Sequence, residues 1–241
     1  MQDLINIALN ASKKAALYLK NANVSSTRLK QDGSLVSNVD LISNEIICDI
    51  LSKSKYLICS EESILDYELR KNSTFWLIDP LDGTNNYLKN KKNYCICISL
   101  IENTRPILGL IYDVCNDNVY YSAINHHVYK NNTILKKVSK ESKKALISLR
   151  KDDSIKNKDF ALSHNFELAH IGSALKFCEL LEGRADMYIR FENLNSWDLA
   201  AGDFLCNQSG GIMIGLDKKM LNYNKEDFKC SAFIALSNYY S

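Results

Sequence analysis

Apolar positions recur with a helical period from Asp3 to Leu19, at Leu4, Ile7, Ala8, Ala11, Ala15 and Tyr18. A second stripe, Val39, Ile42, Ile46, Ile47 and Ile50, follows Ser37, which predicts a helix capped by Ser37 with Asp40 at its third position. The pattern then shifts to short apolar runs. Tyr56–Cys59 predicts a strand ending in Ser60-Glu61-Glu62, and Phe75–Ile78 one that runs into Asp79-Pro80-Leu81-Asp82-Gly83-Thr84. Tyr94–Ile101, Ile107–Tyr112 and Val119–Ala123 have strand length and short polar separators, and Ala145–Leu149 is a further strand. Beyond it, Ile171 to Leu181 reads as a helix with Ala174, Leu175, Cys178 and Leu181 on one stripe. Met187–Ile189 reads as a strand. Ser196 is placed to cap a last helix running to about Gln208, stopped by Gly210-Gly211. A helix pair, a β-meander and then a βαβα order predict an α/β chain of packed sheet and helix layers.

Composition narrows the function classes. The 241 residues carry 30 Lys and Arg against 28 Asp and Glu, a net charge of +2, so no global field draws in nucleic acid or a membrane. No repeat, low-complexity tract or membrane-length apolar run occurs. Met1-Gln2-Asp3-Leu4-Ile5-Asn6 has no basic stretch leading into an apolar run, so no signal peptide is expected and the cytoplasm is the expected address. The eight cysteines form no CxxC, and buried thiols are expected rather than disulfides. With 25 Asn and 24 Lys against 6 Arg, surface Asn and Lys carry little functional information.

The chemistry lies in acids at element boundaries: Asp40, Glu61-Glu62, Asp79 with Asp82, and Asp198. In Trp76-Leu77-Ile78-Asp79-Pro80-Leu81-Asp82-Gly83-Thr84 an apolar strand ends in two aspartates three apart. Pro80 removes a backbone donor, so the chain is expected to leave the sheet there. Gly83 lets the backbone approach a ligand, and Thr84-Asn85-Asn86 can open a short helix whose amides suit an anion. Paired carboxylates are costly when desolvated unless a cation lies between them. Hard oxygen donors beside an anion cradle suit Mg²⁺ with a phosphate. The alternative is a surface turn in which the aspartates cap local amides. An EF-hand fails, since Leu81, Gly83 and Asn90 stand where oxygen ligands are needed. No GxSxG, Walker or GxGxxG pattern is present, and the four histidines lack zinc spacing. Cys95 and Cys97 fall on one side of a strand, and core packing accounts for them.

Taken together, Leu29-Lys30-Gln31-Asp32-Gly33-Ser34-Leu35-Val36-Ser37-Asn38-Val39-Asp40, Ser60-Glu61-Glu62, Trp76 to Thr84 and Trp197-Asp198-Leu199-Ala200-Ala201-Gly202 resemble the motifs of the inositol monophosphatase-like, magnesium-dependent, lithium-sensitive phosphatases. Order and spacing match across nearly the whole chain. The resemblance implies a layered α-β-α-β-α sandwich, one unit over 1–241 with a metal-site half near 1–140 and a substrate half near 141–241. It also implies Mg²⁺, as two or three ions. Glu61, Asp79 and the Leu81 carbonyl would hold the first ion, and Asp79, Asp82 and Asp198 the second. Thr84, polarised by Asp40, would orient the nucleophilic water. The Gly83 and Thr84 amides would hold the scissile phosphate, and Asp198 would orient the water that protonates the leaving oxygen. Glu62 would stand behind the ligands, and Lys30 and Asp32 would support the first-motif loop.

Gly172-Ser173-Ala174-Leu175-Lys176-Phe177-Cys178, with Glu182-Gly183-Arg184-Ala185-Asp186 and Tyr188-Ile189-Arg190, resembles the CysQ-type 3'(2'),5'-bisphosphate nucleotidase branch. That likeness implies a small phosphorylated substrate rather than a nucleic acid polymer, with Ser173, Lys176 and Arg190 on its 5'-phosphate. Ser173 and Lys176, three apart, are expected on one helix with Lys176 beside the apolar stripe. The alternative for Lys176 is a snorkelling surface lysine. The sequence departs from the pattern at Ser37, usually Thr, and in Phe191-Glu192-Asn193-Leu194-Asn195-Ser196, which lacks the Gly-Pro often found before Trp-Asp. The favoured substrate is 3'-phosphoadenosine 5'-phosphate. The rivals are an inositol-1-phosphate or sugar-phosphate phosphatase and a non-catalytic metal or nucleotide sensor, which would require decay of an acid.

Overall fold

A computed structural model describes residues 1–30, 33–148 and 154–240 of the chain. Helix α1 (Gln2–Asn21) leads into the hairpin β1 (Thr27–Leu29) and β2 (Leu35–Ser37), then α2 (Asn38–Leu51). Next come β3 (Leu57–Ser60), the single turn α3 (Tyr67–Arg70), β4 (Phe75–Asp82) and α4 (Thr84–Asn90). The meander follows as β5 (Cys95–Glu102), β6 (Arg105–Asp113), β7 (Asn118–Ala123), β8 (Tyr129–Lys130) and β9 (Thr133–Ile134). The chain continues through β10 (Lys144–Ile147), α5 (Ser154–Ser163), β11 (Glu167–His170), α6 (Leu175–Leu181) and β12 (Met187–Arg190). Then come β13 (Leu194–Asn195), α7 (Ser196–Gln208), β14 (Ile212–Gly215), β15 (Lys229–Cys230) and β16 (Phe233–Leu236).

Strands β3 to β9 form one sheet in chain order, with β3 and β4 parallel. A second sheet has the order β11-β10-β12-β16-β14, with β10 parallel to both its neighbours. Alternation along the strands sorts their side chains to opposite faces. Trp76, Ile78, Ile96 and Ile98 share a core with Ala8, Ala15 and Leu19 of α1 and Ile47 and Leu51 of α2. Phe75, Leu77, Cys95 and Cys97 pack instead with Phe177 of α6, Leu199 and Leu205 of α7, and Tyr188 and Phe233 of the second sheet. Ala145, Met187 and Ile189 on that sheet's other face meet Ala161 of α5. The layers are therefore α1/α2, sheet, α6/α7, sheet, α5: an α-β-α-β-α sandwich. Sheets covered on both faces explain strands that read as near-continuous apolar runs. Among the described residues no helix is long and apolar enough to cross a membrane.

Several expectations are corrected. On α1 the expected stripe is buried at Ala8, Ala11 and Ala15 and half-buried at Leu4, Ile7 and Tyr18, and Ile5, Ser12 and Leu19 join the buried face. The strand at Phe75 does not leave the sheet at Pro80 but runs to Asp82 through a bulge. The helix expected from Ile171 begins at Leu175. Gly172 and Ser173 instead form a turn that passes α4 so closely that a Cβ on Gly172 would sit 2.0 Å from Asn86 Nδ2. Asn195, not Ser196, caps α7, with Asp198 as the third residue of its capping box. All eight cysteines are free, but Cys115 is exposed and Cys48 half-buried. Leu149 and Asp32 lie outside the described residues.

Helix α7 is anchored by a buried polar network. Asp203 accepts two hydrogen bonds from the Arg105 guanidinium at 2.7 Å each and one from the Tyr223 hydroxyl at 2.5 Å. Such a bidentate pair fixes the helix against β6, with Asp203 fully buried and Arg105 partly exposed.

Candidate active site

The site begins with a register shift. Asp79 pairs with Cys97 and Asp82 with Cys95, so β4 carries one residue more than β5 across this step. In a regular strand, residues three apart face opposite sides. The extra residue, at Pro80-Leu81, brings both aspartates to the face shared with Cys95 and Cys97. Proline, which donates no hydrogen bond, is suited to a bulge. The Leu81 amide donates to Asp79 Oδ1 at 3.0 Å, and the Pro80 carbonyl accepts from Ser43 Oγ at 2.8 Å, tying the bulge to α2. Gly83 follows at φ +97°, a left-handed conformation that favours glycine; a Cβ there would also meet the Asn93 carbonyl at 3.0 Å.

Glu61 at the end of β3, Asp79 in β4 and Asp198 in the first turn of α7 each bring a carboxylate oxygen within 4.8 Å of the other two. Loss of surrounding water, then repulsion from Glu61 and Asp82, pushes Asp79 well above the ordinary carboxylate range. Asp198 shifts the same way, from desolvation and then Asp82 and Glu61. Glu61 is pushed up to about 7 by burial, against the pull of Lys30. Lys30 Nζ, expected to support the first-motif loop, lies 2.6 Å from both Glu61 and Glu62 and ion-pairs with them. Crowded, desolvated oxygens that raise one another's proton affinity are a donor set short of positive charge, and they fit a hard divalent cation. The close trio joins Glu61 of the first expected ligand set, Asp198 of the second and Asp79, common to both. Asp82 stands beside it, held by the Ala174 amide and lying nearest Cys95 and Cys97.

The Thr84 hydroxyl, at the start of α4, donates to Asp40 Oδ1 at 2.7 Å and lies 3.1 Å from the Leu81 carbonyl. The other Asp40 oxygen accepts from the Ser37 amide at 2.8 Å and the Ser37 hydroxyl at 2.5 Å. The helix cap and the Thr84 partner are thus one carboxylate.

Ser173 does not share a helix with Lys176. It stands in the turn before α6 at φ +57°, and its carbonyl accepts from Lys176 Nζ at 3.1 Å. Lys176 is buried rather than at the surface, its ammonium 5.3 Å from the centre of the Tyr188 ring. Arg190, two residues on along β12, is also buried. Burial pushes the Tyr188 hydroxyl up to about 12, with Arg190 opposing.

Sequence reasoning missed the Tyr188 face and the approach of Asp82 to two thiols. The first had a signal in the alternation of Tyr188 and Arg190 along a strand. The second depends on the bulge.

The model of the family described as "Inositol monophosphatase family" matches residues 1–239. The chain is 34% identical over 203 residues to the 3'(2'),5'-bisphosphate nucleotidase CysQ of Buchnera aphidicola, covering 81% of this chain and 76% of that protein. It is 29% identical to the protein of the same name from Escherichia coli O157:H7 over 94% of this chain and 95% of that one. Among solved structures, CysQ from Bacteroides thetaiotaomicron superimposes with a TM-score of 0.84 at 26% identity, covering 98% and 97% of the two chains.

Proposed function

The chain belongs to the inositol monophosphatase family, and from that premise we propose that it is a Mg²⁺-dependent phosphomonoesterase, a 3'(2'),5'-bisphosphate nucleotidase that converts 3'-phosphoadenosine 5'-phosphate to AMP and phosphate in the cytoplasm. The observation that carries the substrate is the buried pair Lys176, over the Tyr188 ring, and Arg190, beside the Tyr188 hydroxyl. Two buried cations beside one aromatic hydroxyl suit a second phosphate. The CysQ relatives support the same substrate.

Glu61, Asp79, the Leu81 carbonyl, Asp82 and Asp198 would hold the Mg²⁺. When bound, Mg²⁺ offsets the charge of the phosphate oxygens and makes water a better nucleophile at neutral pH. Thr84, its own hydrogen committed to Asp40, accepts a hydrogen bond from the attacking water and orients it. The Gly83 and Thr84 amides hold the scissile phosphate. The water oxygen would bond to phosphorus as the ester bond to the 3'-oxygen breaks; the proton it sheds would pass to solvent, and the leaving oxygen would take a proton from a water oriented by Asp198, which regains one from solvent. Ser173, Lys176 and Arg190 hold the 5'-phosphate. The test is phosphate release with Mg²⁺ across 3'-phosphoadenosine 5'-phosphate, inositol-1-phosphate and sugar phosphates. A faster rate on inositol or sugar monophosphates than on the bisphosphate would replace the nucleotidase reading. No release from any would leave a metal or nucleotide sensor.

A further inference from the structure

Cys95 and Cys97 lie two apart on β5 and project to one face, and the bulge in β4 sets Asp82 opposite Cys95. A carboxylate oxygen of Asp82 and the two Sγ atoms all lie within 4.8 Å of one another, with Cys95 Sγ 3.7 Å from Asp82 Oδ2. Both thiols are buried and neither is oxidised to a disulfide. Among the described residues no other cysteine shares such a group with a second sulfur and an acid. The hydrolytic reading uses Asp82 and gives the thiols no chemical role beside their core packing.

Two sulfurs and one oxygen make a donor set of different character from the all-oxygen trio nearby. Mg²⁺ takes oxygen ligands and disfavours sulfur, whereas Zn²⁺ and Cd²⁺ favour thiolate and accept a mixed set with an open fourth position. The Ala174 amide holds the Asp82 carboxylate toward the thiols. Asp82 is itself partly exposed, which gives an ion its way in.

We propose that Asp82, Cys95 and Cys97 form a binding site for a thiophilic divalent cation such as Zn²⁺, and that its occupancy withdraws Asp82 from the hard-cation cluster and so inhibits hydrolysis. Binding is a ligand exchange without redox change: each thiol releases its proton to solvent as its sulfur bonds to the ion. Only the inhibitory half rests on the phosphatase reading.

The test uses Cd²⁺ as probe on the metal-free full chain without substrate, following thiolate-to-Cd²⁺ charge-transfer absorption and proton release. The wild type and Cys115→Ser, which removes the exposed thiol, are expected to bind one Cd²⁺ per chain with the thiolate band. Cys97→Ser and Cys95→Ser, each checked for a wild-type melt, are expected to lose most of the band. Their affinity should fall by about tenfold or more, the lower bound seen when even an outer-shell partner of a metal is lost. In phosphate-release assays at saturating Mg²⁺, Zn²⁺ should inhibit the wild type, and Cys97→Ser should keep the basal rate while needing at least about tenfold more Zn²⁺. An unchanged band in folded Cys97→Ser and Cys95→Ser, its loss in Cys115→Ser, or no band in the wild type overturns the site. A site that binds Cd²⁺ in a chain that hydrolyses none of the substrates leaves the site standing and removes the phosphatase reading instead.

Discussion

The Thr84 hydroxyl gives its hydrogen to Asp40, 2.7 Å away, while the other oxygen of that carboxylate is held by the amide and hydroxyl of Ser37. Asp40 cannot rotate away without uncapping α2, so the lone pairs of Thr84 keep one direction. Such preorganisation is what a water-orienting hydroxyl needs. Thr84→Ala should therefore lower kcat by about 10²–10⁴-fold, the usual range for a lost proton-handling group. KM should change little, and Thr84→Ser should retain most of the rate. Asp40→Asn should lose comparable activity and melt only slightly earlier, because Ser37 still caps α2 and only the charge that closes the capping box is lost. A Thr84→Ala enzyme with wild-type kcat would remove the pair from the chemistry.

The acid cluster predicts a pH dependence of stability. Glu61 sits at about 7 in the folded, metal-free protein, above its ordinary value of 4.5, first because it is buried. Between these values the folded chain binds more protons than the unfolded chain, so stability falls as pH rises through this window. Asp79 and Asp198, shifted the same way by desolvation and neighbouring carboxylates, act in the same sense. The metal-free Tm should drop by several degrees between pH 5 and about 7.5. Saturating Mg²⁺ should remove most of that slope, since a ligand that binds only the folded state stabilises it. A metal-free Tm that climbs over this interval would contradict the reading of the cluster.

The same repulsion makes stability and activity move apart. Asp79 is buried among Glu61, Asp82 and Asp198, and Asp79→Asn deletes one of the mutually repelling charges. The metal-free variant should melt above the metal-free wild type, the more so at higher pH. Phosphate release should fall by several orders of magnitude, and Mg²⁺ should no longer raise Tm appreciably. Functional sites retain such unfavourable charge because their ligand requires it. Thermal melts with and without Mg²⁺, paired with the rate assay, check both halves.

What the sequence disclosed depended on how local the determinant was. Asp40 was readable as a capping acid because Ser37 stands three residues before it. The Asp79–Asp82 motif was readable because acids abruptly follow an apolar strand. The bulge that turns both aspartates to one face was not readable, because it depends on the register with Cys95 and Cys97, thirteen or more residues away. Ser173 was misplaced on a helix because its apolar neighbours continue the helical period. Its left-handed turn is set by the close passage of Gly172 over Asn86, a contact between distant segments. Lys176 carries no sign of burial in its own type, and its cover comes from Tyr188 on another element.

Under the proposed function, the buried Lys176 is the residue expected to discriminate between substrates. Its ammonium lies over Tyr188 and donates to the Ser173 carbonyl, and Arg190 is buried on the same strand as Tyr188. A charge-assisted bond to a second phosphate is worth roughly 1.5–3 kcal/mol, or about ten- to a hundredfold in affinity. Lys176→Ala should raise KM for 3'-phosphoadenosine 5'-phosphate by that factor and leave kcat nearly intact, because the proposal puts the scissile phosphate at the carboxylates and not at Lys176. Hydrolysis of inositol-1-phosphate and of adenosine 3'-monophosphate should be almost unaffected, since neither presents a second phosphate. Lys176→Arg should recover part of the loss on the bisphosphate, since a cation is restored. Truncating a buried side chain can also loosen α6 against Tyr188, and that effect would lower kcat/KM for all three substrates together. Measuring kcat and KM for each substrate in the three proteins separates the two causes. Losses confined to the bisphosphate assign Lys176 to its second phosphate, and equal losses across the set assign it to the packing of α6.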